Sequence, residues 1–371
     1  MFGRNRPHLA PEERARRARH VFRARPRRPL RVRQAVQFGT FAVILYVGWR
    51  FVQWVHGLEA GVVDGARSPG VEGFLPIASL ISLRHWFETG VFHMVHPAGL
   101  VILCLVLLTA LLLKKAFCSW LCPVGTASEY LARLSHKVFR RRVKLPNWLD
   151  WPLQSLKYLL LLFFANAIFV LMSREQVAQF LDLPYNKVSD IKMLYFFTDP
   201  SPATLWVLGS LAVLSFVVPY FWCRYLCPYG ALLGPLSWLS PLKIVRSPSA
   251  CTNCRQCASV CPSFLAVDLT TTVNSVECTG CLECVAACPE NEALQLAPVT
   301  PWGARLARRG VRPAVFAVLV VVLFYGGIQT ARLSGRWRSD VDQRELVERV
   351  RRGLDGPEYD HVGRPASRPA P

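Results

Sequence analysis

Residues 117–126 read FCSWLCPVGT and directly follow the apolar run PAGLVILCLVLLTALLL at 97–113. Residues 222–231 read WCRYLCPYGA and also follow an apolar run. In both stretches two cysteines four positions apart precede a proline, and Cys, an aromatic residue, Leu, Cys, Pro and Gly align in register. We interpret the stretches as two copies of an internal repeat, about 105 residues apart, each carrying two thiols at the end of a membrane helix.

The composition of the chain is that of a membrane protein. Of its 371 residues, 52% are hydrophobic. A membrane helix needs roughly 20 apolar residues, and the stretches that come near this length are 35–55, 97–113, 153–172, 203–221 and 313–329. The predicted fold class is therefore an α-helical membrane bundle of about five transmembrane helices, with a cysteine-rich α+β domain inserted before the last one.

The net charge is +20, and the basic residues are distributed according to the predicted membrane segments. Basic residues crowd three segments, which are 1–34, 114–157 and 305–312. Two segments between the apolar stretches are slightly acidic, which are 57–96 and 173–202. This is the positive-inside pattern, which places the N-terminus, both cysteine pairs and 222–312 in the cytoplasm and the tail after Thr330 outside. Because the membrane already explains the charge, we expect no nucleic-acid partner.

Two cysteine runs lie between the fourth and fifth apolar stretches. Residues 251–262 read CTNCRQCASVCP, and residues 278–289 read CTGCLECVAACP. Both match the bacterial ferredoxin spacing C-x2-C-x2-C-x3-C-P. Disulfides are not expected in a chain segment that faces the cytoplasm, and zinc modules usually use two separate C-x2-C pairs. Two [4Fe–4S] clusters are therefore favoured over zinc or structural cysteines.

The spacing also predicts which cysteines hold each cluster, because in two-cluster ferredoxin domains the fourth cysteine of each run binds the other cluster. The predicted ligands of cluster one are Cys251, Cys254, Cys257 and Cys288. The predicted ligands of cluster two are Cys278, Cys281, Cys284 and Cys261. Pro262 and Pro289 prevent each run from continuing as a helix, and the β-prone residues between the runs predict short strands.

The C-x3-C-P cysteines permit three interpretations. A proline suits the first position of a helix, so Cys122 is predicted at the start of a basic amphipathic helix that lies on the membrane. A helix N-terminus lowers the pKa of a thiol. The four thiols then bind a third cluster or metal, or form two redox pairs, or serve as small packing residues. We favour the first, with the ligands Cys118, Cys122, Cys223 and Cys227. Cys104 is predicted to pack as a small apolar residue.

Together these motifs resemble the membrane polyferredoxins of the NapH, CcoG (RdxA/FixG) and NosR type. The resemblance covers about 35–297, that is, paired helical hairpins each ending in C-x3-C-P and then a two-cluster ferredoxin domain. It implies electron transfer at the bacterial cytoplasmic membrane. In NapH this transfer is linked to quinol oxidation and periplasmic nitrate reduction, in CcoG to copper reduction for oxidase assembly, and in NosR to nitrous oxide reduction.

None of the three subfamilies matches throughout the chain. CcoG-like proteins carry a sizeable periplasmic domain after their last helix, and the 41 residues at 331–371 are few for one. NosR-like proteins begin with a flavin-bearing periplasmic domain, which 1–34 is too short to form. NapH-like proteins match the core best but typically lack the helix at 313–329. The resemblance therefore implies cluster ligands and membrane electron transfer and leaves the pathway open.

The expected function is that of a membrane-bound iron–sulfur protein in the cytoplasmic (inner) membrane. It relays electrons between the quinone pool or a cytosolic donor and a partner oxidoreductase or electron carrier, as the electron-transfer subunit of an oxidoreductase system. The alternative is a redox or copper-reducing assembly or regulatory factor for a respiratory enzyme. Membrane lipid is an expected partner and quinone a candidate one. His93 and His96 are candidate contacts for a quinone head group or a metal, against the simpler interpretation of interfacial residues.

The predicted domains follow from these assignments. They are a basic cytoplasmic arm at 1–34, a four-helix membrane domain with both C-x3-C-P motifs at 35–240, the ferredoxin domain at 241–300, a fifth transmembrane helix at 301–330 and a periplasmic, partly disordered tail at 331–371. Within the tail, DQRELVERVRRGL predicts a short helix. Haem attachment, dinucleotide-binding and P-loop motifs are not found in the sequence, so nicotinamide and ATP chemistry are unsupported.

Overall fold

Prolines mark where many helices of this chain begin. The computed structural model describes residues 31–63, 67–140, 143–290, 292–299, 310–354 and 356–359. Helices that start at a proline have their first residue at Pro76, Pro97, Pro123, Pro184, Pro202, Pro228 and Pro313. A proline suits this position because its φ angle is already helical and its missing N–H would have had no partner.

The α-helices in chain order are α1 (Arg31–Glu59), α2 (Pro76–Thr89), α3 (Pro97–Leu113), α4 (Pro123–Phe139), α5 (Asn147–Asn166), α6 (Arg174–Asp182), α7 (Pro184–Lys187), α8 (Ser189–Thr198), α9 (Pro202–Val217), α10 (Pro228–Leu239), α11 (Gln256–Val260), α12 (Glu283–Ala287), α13 (Pro313–Val321), α14 (Gly327–Leu333) and α15 (Gln343–Arg352). Single π-helical turns occupy Phe117–Leu121, Ala167–Leu171, Trp222–Leu226 and Val322–Gly326. Short 3₁₀ turns occupy Pro69–Phe74 and Pro357–Tyr359.

A helix lies at each of the five predicted apolar stretches. By length and composition, three helices of the described residues are able to cross a membrane: Arg31–Glu59, Asn147–Leu171 and Pro313–Leu333. A fourth crossing is possible if α8 and α9, which meet at a bend of 77°, count as one span. The helix α3 is apolar but shorter, at 17 residues. The chain is thus a mostly helical membrane protein, and the count of five spans stays a prediction.

The outward side chains of these helices are apolar. Trp49 in α1 is 57% exposed, Phe163 in α5 is 66% exposed and Val318 in α13 is 59% exposed. Water-facing surfaces rarely carry such large contiguous apolar areas. Lipid is therefore the solvent that suits these helix faces.

The described residues form two compact units, and the ranges given for each unit refer only to the described residues within them. The first unit draws on Met1–Phe41, Val106–Tyr158 and Leu214–Phe324, and it contains 12 of the 13 cysteines. Its strands β1 (Leu242–Arg246), β2 (Thr272–Val273) and β3 (Leu294–Pro298) form one antiparallel sheet in the order β2-β1-β3. The central residue Ile244 pairs with Val273 on one side and Leu296 on the other. The sheet carries the short helices α11 and α12 between its strands, so the strands predicted between the cysteine runs are confirmed at β2.

The second unit draws on Ala42–Leu105, Leu159–Val213 and Tyr325–Pro371. Its largest apolar core joins residues of α1, α8 and α15, among them Phe51, Ile191 and Leu346. The helix predicted in the tail is present as α15, where Asp342 caps the N-terminus by accepting a hydrogen bond from the Arg344 backbone N–H. The helix α15 thus packs against α1 and α8 of the same chain. The basic segment 1–30 and the end of the tail at 360–371 lie outside the described residues.

Candidate iron–sulfur sites

The two ferredoxin runs follow the same backbone course. In each run a residue with a left-handed backbone precedes a five-residue helix: Arg255 has φ 60° and Leu282 has φ 61°. Each helix ends at a cysteine in extended conformation, Cys261 in the first run and Cys288 in the second. Because the next residue is proline, which disfavours helical geometry in the residue before it, the fourth cysteine of each run leaves the helix.

Two cavities of the first unit are each lined by four cysteines. The cluster-one cavity is lined by Cys251, Cys254, Cys257 and Cys288. The cluster-two cavity is lined by Cys278, Cys281, Cys284 and Cys261. The structure therefore brings the cysteines together in the crossed sets that the spacing predicts, three from one run and the fourth from the other.

The donor set at each cavity is four cysteine thiols. Among the described residues, no three His, Cys, Asp or Glu side chains lie close enough together to hold one metal ion. A zinc ion needs its thiolate ligands at about 2.3 Å, whereas a cubane of four irons and four sulfides separates its thiolates more widely. Apolar residues, including Ile244, Val267 and Val273, complete the wall of the cluster-two cavity.

The thiols at these cavities are difficult to ionise on their own. Burial raises the pKa of the Cys257 thiol and of the Cys281 thiol to about 12 in each case. Burial also raises the pKa of Cys284 well above its ordinary value, and the neighbouring cysteines raise it further. A buried thiolate is stable only beside positive charge. Iron supplies that charge when bound, so these pockets favour metal-bound thiolates over free ones.

The two C-x3-C-P stretches fold alike. Each forms one π-helical turn that closes with a hydrogen bond from the second cysteine: the Cys122 N–H donates to the Phe117 carbonyl at 2.8 Å and the Cys227 N–H to the Trp222 carbonyl at 2.9 Å. Both second cysteines are extended N-caps, and a proline begins the helix that follows. The helix start predicted after Cys122 is therefore present, and the repeat read from the sequence is a repeat of backbone conformation.

The glycine of each C-P-x-G sequence lies near the carbonyl oxygen of the first cysteine. A Cβ atom at Gly125 would collide with the carbonyl oxygen of Cys118. At Gly230 a Cβ atom would lie 3.4 Å from the carbonyl oxygen of Cys223, which is the edge of ordinary contact. A close backbone approach therefore explains the glycine of the first copy, whereas the second copy has room for a Cβ atom at Gly230.

The four cysteines of the two copies converge in the first unit. Burial raises the pKa of the Cys122 thiol well above its ordinary value, and proximity to Cys118, Cys223 and Cys227 raises it further. In addition, the Ser128 hydroxyl, in the helix that follows the first copy, lies 3.6 Å from the Cys223 sulfur of the second copy. The thiols of both copies therefore belong to one site, which we call the four-thiol site.

The expectation that a helix N-terminus lowers the pKa of these thiols is wrong for the isolated thiols. Burial raises the pKa of Cys118 to about 11 and of Cys223 to about 12. The helix start does act in the predicted direction, because the Gly230 N–H donates a hydrogen bond to the Cys227 sulfur at 3.3 Å and lowers its pKa. The penalty of burial is larger. Such buried thiols are poor free nucleophiles.

Buried charged residues lie near the four-thiol site, and the sequence motifs do not predict them. Lys115 is 4% exposed and lowers the pKa of Cys118, Cys223 and Cys227. Lys157 is fully buried and pairs with Glu277 at 2.7 Å. A lysine within the apolar stretch 153–172 is costly in a membrane helix. A lysine in such an apolar stretch is the sequence feature that indicates a function for Lys157.

Arg33 also joins the site region, although it lies in a segment assigned from sequence to a basic arm. Its guanidinium group is 2% exposed and pairs with Glu129 of α4 and, at 2.8 Å, with Glu283 of α12. Glu129 also accepts a hydrogen bond from Gln37 at 2.9 Å. Glu283 directly precedes Cys284, so this ion-pair network links the helix after Cys122 to the cluster-two region.

The two histidines considered as quinone contacts lie in the second unit. His96 is 2% exposed; its Nε2 lies 2.5 Å from the Asn186 carbonyl oxygen and its Nδ1 lies 3.2 Å from Arg67. His93 Nε2 lies 3.3 Å from Asp182, and burial lowers the pKa of His93. Both imidazoles thus have protein partners, which favours the simpler interpretation of structural residues at the entrance of α3.

Two families match the chain by sequence. Residues 95–146 and 200–247 match a family described as a 4Fe-4S binding domain. Residues 243–289 match a family described as a 4Fe-4S dicluster domain. The first match includes both C-x3-C-P motifs, and the second includes both ferredoxin runs. Iron–sulfur binding is therefore supported for both parts of the first unit.

Several curated proteins are similar to the chain over long stretches. YccM of Escherichia coli (strain K12), whose name places it among electron transport proteins, is 42% identical over 320 residues, covering 86% of this chain and 89% of YccM. The ferredoxin-type protein NapH of Escherichia coli (strain K12) is 27% identical over 239 residues, covering 64% of this chain and 76% of NapH. The regulatory protein NosR of Stutzerimonas stutzeri is 27% identical over 154 residues, covering 40% of this chain and 20% of NosR. No solved structure matches the chain.

Proposed function

Because the chain belongs to the membrane-associated 4Fe-4S electron transport proteins of the NapH and NosR type, we propose that it relays single electrons between the quinone pool or a cytosolic donor and a partner oxidoreductase. The crossed arrangement of eight cysteines around two cavities is the observation that carries this proposal. Iron–sulfur clusters accept and release one electron at a time without forming or breaking covalent bonds in a substrate.

The cysteines of the two cavities are the proposed ligands of two [4Fe–4S] clusters. Cluster one takes Cys251, Cys254, Cys257 and Cys288, and cluster two takes Cys278, Cys281, Cys284 and Cys261. Each set brings four cysteine sulfurs to one cavity, three from one run and the fourth from the other, as the ferredoxin spacing requires.

The four-thiol site is the proposed site of a third cluster. Its ligands are Cys118, Cys122, Cys223 and Cys227. Three observations support this assignment: the thiols converge, the match to a 4Fe-4S binding domain covers both motifs, and the buried Lys115 and Lys157 lie near the thiols. Four thiolates give a cluster net negative charge, which buried lysines offset. A free dithiol pair has no comparable need for buried cations.

The proposed location is the bacterial cytoplasmic membrane, with the N-terminus and the ferredoxin domain in the cytoplasm and the tail outside. The distribution of basic residues supports this orientation. It places all three proposed clusters at the cytoplasmic side, where a quinol oxidised at the membrane or a cytosolic carrier is able to supply electrons. A quinol releases two electrons, so the relay passes them in two successive single-electron steps.

The experiment that tests the proposal counts iron. The protein is purified anaerobically in detergent, and iron and acid-labile sulfide are measured per chain, with EPR recorded through a redox titration. Three clusters of four irons give about twelve irons per chain. The Cys118/Cys122/Cys223/Cys227→Ser variant is expected to retain about eight irons, as two clusters require. The matched control Cys104→Ser, a free cysteine in the other unit, is expected to retain the full number.

The possible outcomes separate the parts of the proposal. About eight irons in both the parent and the quadruple variant would confine the clusters to the ferredoxin runs, and the four-thiol site would then not hold a cluster. Two or fewer irons in the parent, despite anaerobic handling, would overturn the iron–sulfur function itself.

A further inference from the structure

Both copies of the C-x3-C-P motif form hydrogen bonds with residues that line the cluster-two cavity. In the first copy, the Ser119 hydroxyl donates to the Thr279 carbonyl at 2.8 Å and the Trp120 indole N–H donates to the Gly280 carbonyl at 3.1 Å. Thr279 and Gly280 lie between Cys278 and Cys281 and line the cluster-two cavity. Because Trp120 is fully buried, this contact is part of the protein interior.

The second copy contacts the other edge of the same cavity. The Arg224 guanidinium group donates to the Ser263 carbonyl at 3.1 Å, and Ser263 lines the cluster-two cavity two residues after Cys261. Near the four-thiol site, Lys157 pairs with Glu277, which directly precedes Cys278. Every one of these links therefore leads from the four-thiol site to cluster two.

The cluster-one cavity has no such link among the described residues. The polar contacts of its lining residues stay within 246–294 in the described part of the chain, as in the Arg246 contact with Thr270 at 3.0 Å and the Arg255 pair with Asp268 at 3.7 Å. Its rim is open to water: the Arg255 side chain is 73% exposed and Glu290 is exposed. Among the described residues, the polar contacts of the cluster-one cavity thus lie within the ferredoxin domain, and part of its rim is exposed.

The burial of the cysteines agrees with this order. Cys261, Cys281 and Cys284, three of the four at the cluster-two cavity, are each 8% exposed and buried. All four cysteines at the cluster-one cavity, Cys251, Cys254, Cys257 and Cys288, are only partly buried. Electron tunnelling slows steeply with distance, so a soluble partner reacts fastest with the cluster whose ligands reach the surface.

We propose that cluster two is the inner cluster, which exchanges electrons with the four-thiol site, and that cluster one is the outer cluster, which exchanges electrons with a water-soluble one-electron carrier. This inference rests on the proposed function and adds the order of the centres. Each transfer moves one electron and no proton, and the carrier is the oxidant or the reductant according to the direction of flow.

The first test measures which cluster is near water. The EPR signals of the reduced full-length protein in detergent are assigned with Cys254→Ser, which alters cluster one, and Cys281→Ser, which alters cluster two. A water-soluble dysprosium chelate is then added to the parent protein. The chelate is expected to accelerate the spin relaxation of cluster one several-fold more than that of cluster two. Equal acceleration, or a stronger effect on cluster two, would overturn the order while leaving the iron count, and hence the proposed function, intact.

The second test uses two matched substitutions that leave all cysteines in place. Trp120→Phe keeps an aromatic ring but removes the hydrogen bond to Gly280, so it is expected to shift the EPR signal and the midpoint potential of cluster two and to leave those of cluster one unchanged. Arg255→Gln, at the rim of the cluster-one cavity, is expected to do the reverse. If Trp120→Phe moves cluster one instead, the four-thiol site does not communicate through cluster two.

Discussion

The two C-x3-C-P copies share a backbone and differ in the side chains that surround it. In each copy a π-helical turn ends at an extended cysteine, and a proline starts the next helix. Between its two cysteines the first copy has Ser119, Trp120 and Leu121. At the first two of these three positions the second copy has Arg224 and Tyr225. The common backbone places the thiols, while these variable residues fit each copy to a different neighbour.

The neighbours differ in chemistry. The first copy makes neutral hydrogen bonds to the loop before Cys281, whereas the second copy is held by a buried ion pair between Arg224 and Asp150 at 2.7 Å. The helices that follow differ as well: Glu129 in the first helix binds Arg33, and the equivalent position in the second helix is Gly234. A symmetric thiol site is thus built into an asymmetric electrostatic environment, and the difference is open to experiment.

The largest expected effect comes from the ion pair of the second copy. Asp150 accepts hydrogen bonds from Arg224 and, at 2.6 Å, from the Tyr225 hydroxyl. Asp150→Asn leaves the buried Arg224 charge without its partner, which is expected to destabilise the protein by about 3 kcal/mol or more. Thermal unfolding in detergent measures this loss. The control Asp182→Asn changes a side chain that is 73% exposed and is expected to change stability by less than about 0.5 kcal/mol.

The second prediction compares the two glycines. Gly125→Ala places a Cβ atom against the carbonyl oxygen of Cys118, and neither backbone is free to move without disturbing the cysteines. A destabilisation of about 2–3 kcal/mol is expected, together with loss of iron from the four-thiol site. Gly230→Ala introduces a contact at 3.4 Å, and the helical preference of alanine over glycine, up to about 1 kcal/mol, offsets it. Equal losses in the two variants would mean that the close approach at Gly125 does not hold the first copy together.

These features differ in how far the sequence predicts them. The helix starts, the repeat and the crossed cysteine sets follow from local spacing, because a proline or a cysteine run specifies backbone geometry over a few residues. The pairing of Arg33 with Glu129 and Glu283 joins residues 96 and 250 positions apart. No local rule selects such partners, since they depend on how the helices pack.

The pKa values of the thiols also depend on local sequence and on tertiary packing. The sequence correctly places Cys122 at a helix N-terminus, and the local effect of that position is to favour thiolate. Burial, which the sequence does not state, reverses the result and raises the pKa of Cys122 well above its ordinary value. Likewise, the bend of 77° between α8 and α9 depends on tertiary packing and is not indicated by the apolar stretch at 203–221.

The third prediction concerns the charge network that only the first copy has. Arg33→Gln removes a buried positive charge near cluster two and leaves Glu129 and Glu283, so reduction of cluster two becomes harder. A potential lower by about 60 mV, equal to a tenfold change for one electron, is expected. Glu129→Gln removes negative charge and is expected to raise the potential by a similar amount.

The opposite signs of the two expected shifts in potential distinguish an electrostatic effect of the network from structural damage. Both variants break the same ion pair, so a purely structural role would move the potential in one direction or lower the iron content in both. An EPR-monitored titration of each variant decides the point. Shifts of the same sign in Arg33→Gln and Glu129→Gln would show that the network acts through packing and not through its charge.

The smallest expected effect tests whether the two copies share one centre. The Ser128 hydroxyl, in the helix after the first copy, lies 3.6 Å from the Cys223 sulfur of the second copy and lowers the pKa of that thiol. A donor that stabilises thiolate also stabilises the more negative, reduced state of a cluster. Ser128→Ala is therefore expected to lower the midpoint potential of the third cluster by roughly 30 mV, which is half of the about 60 mV that corresponds to a tenfold change in a one-electron equilibrium constant. The potentials of clusters one and two are expected to stay unchanged.

The matched control for this variant is Ser135→Ala. Ser135 is buried in the same helix, two turns beyond Ser128, so it reproduces the loss of a hydroxyl without the contact to Cys223. An unchanged potential in Ser135→Ala and a lowered one in Ser128→Ala would place a sulfur of the second copy on the same centre that the first copy binds. If Ser128→Ala leaves the third signal unchanged, Cys223 does not ligate that centre, and the two copies hold separate pairs of thiols.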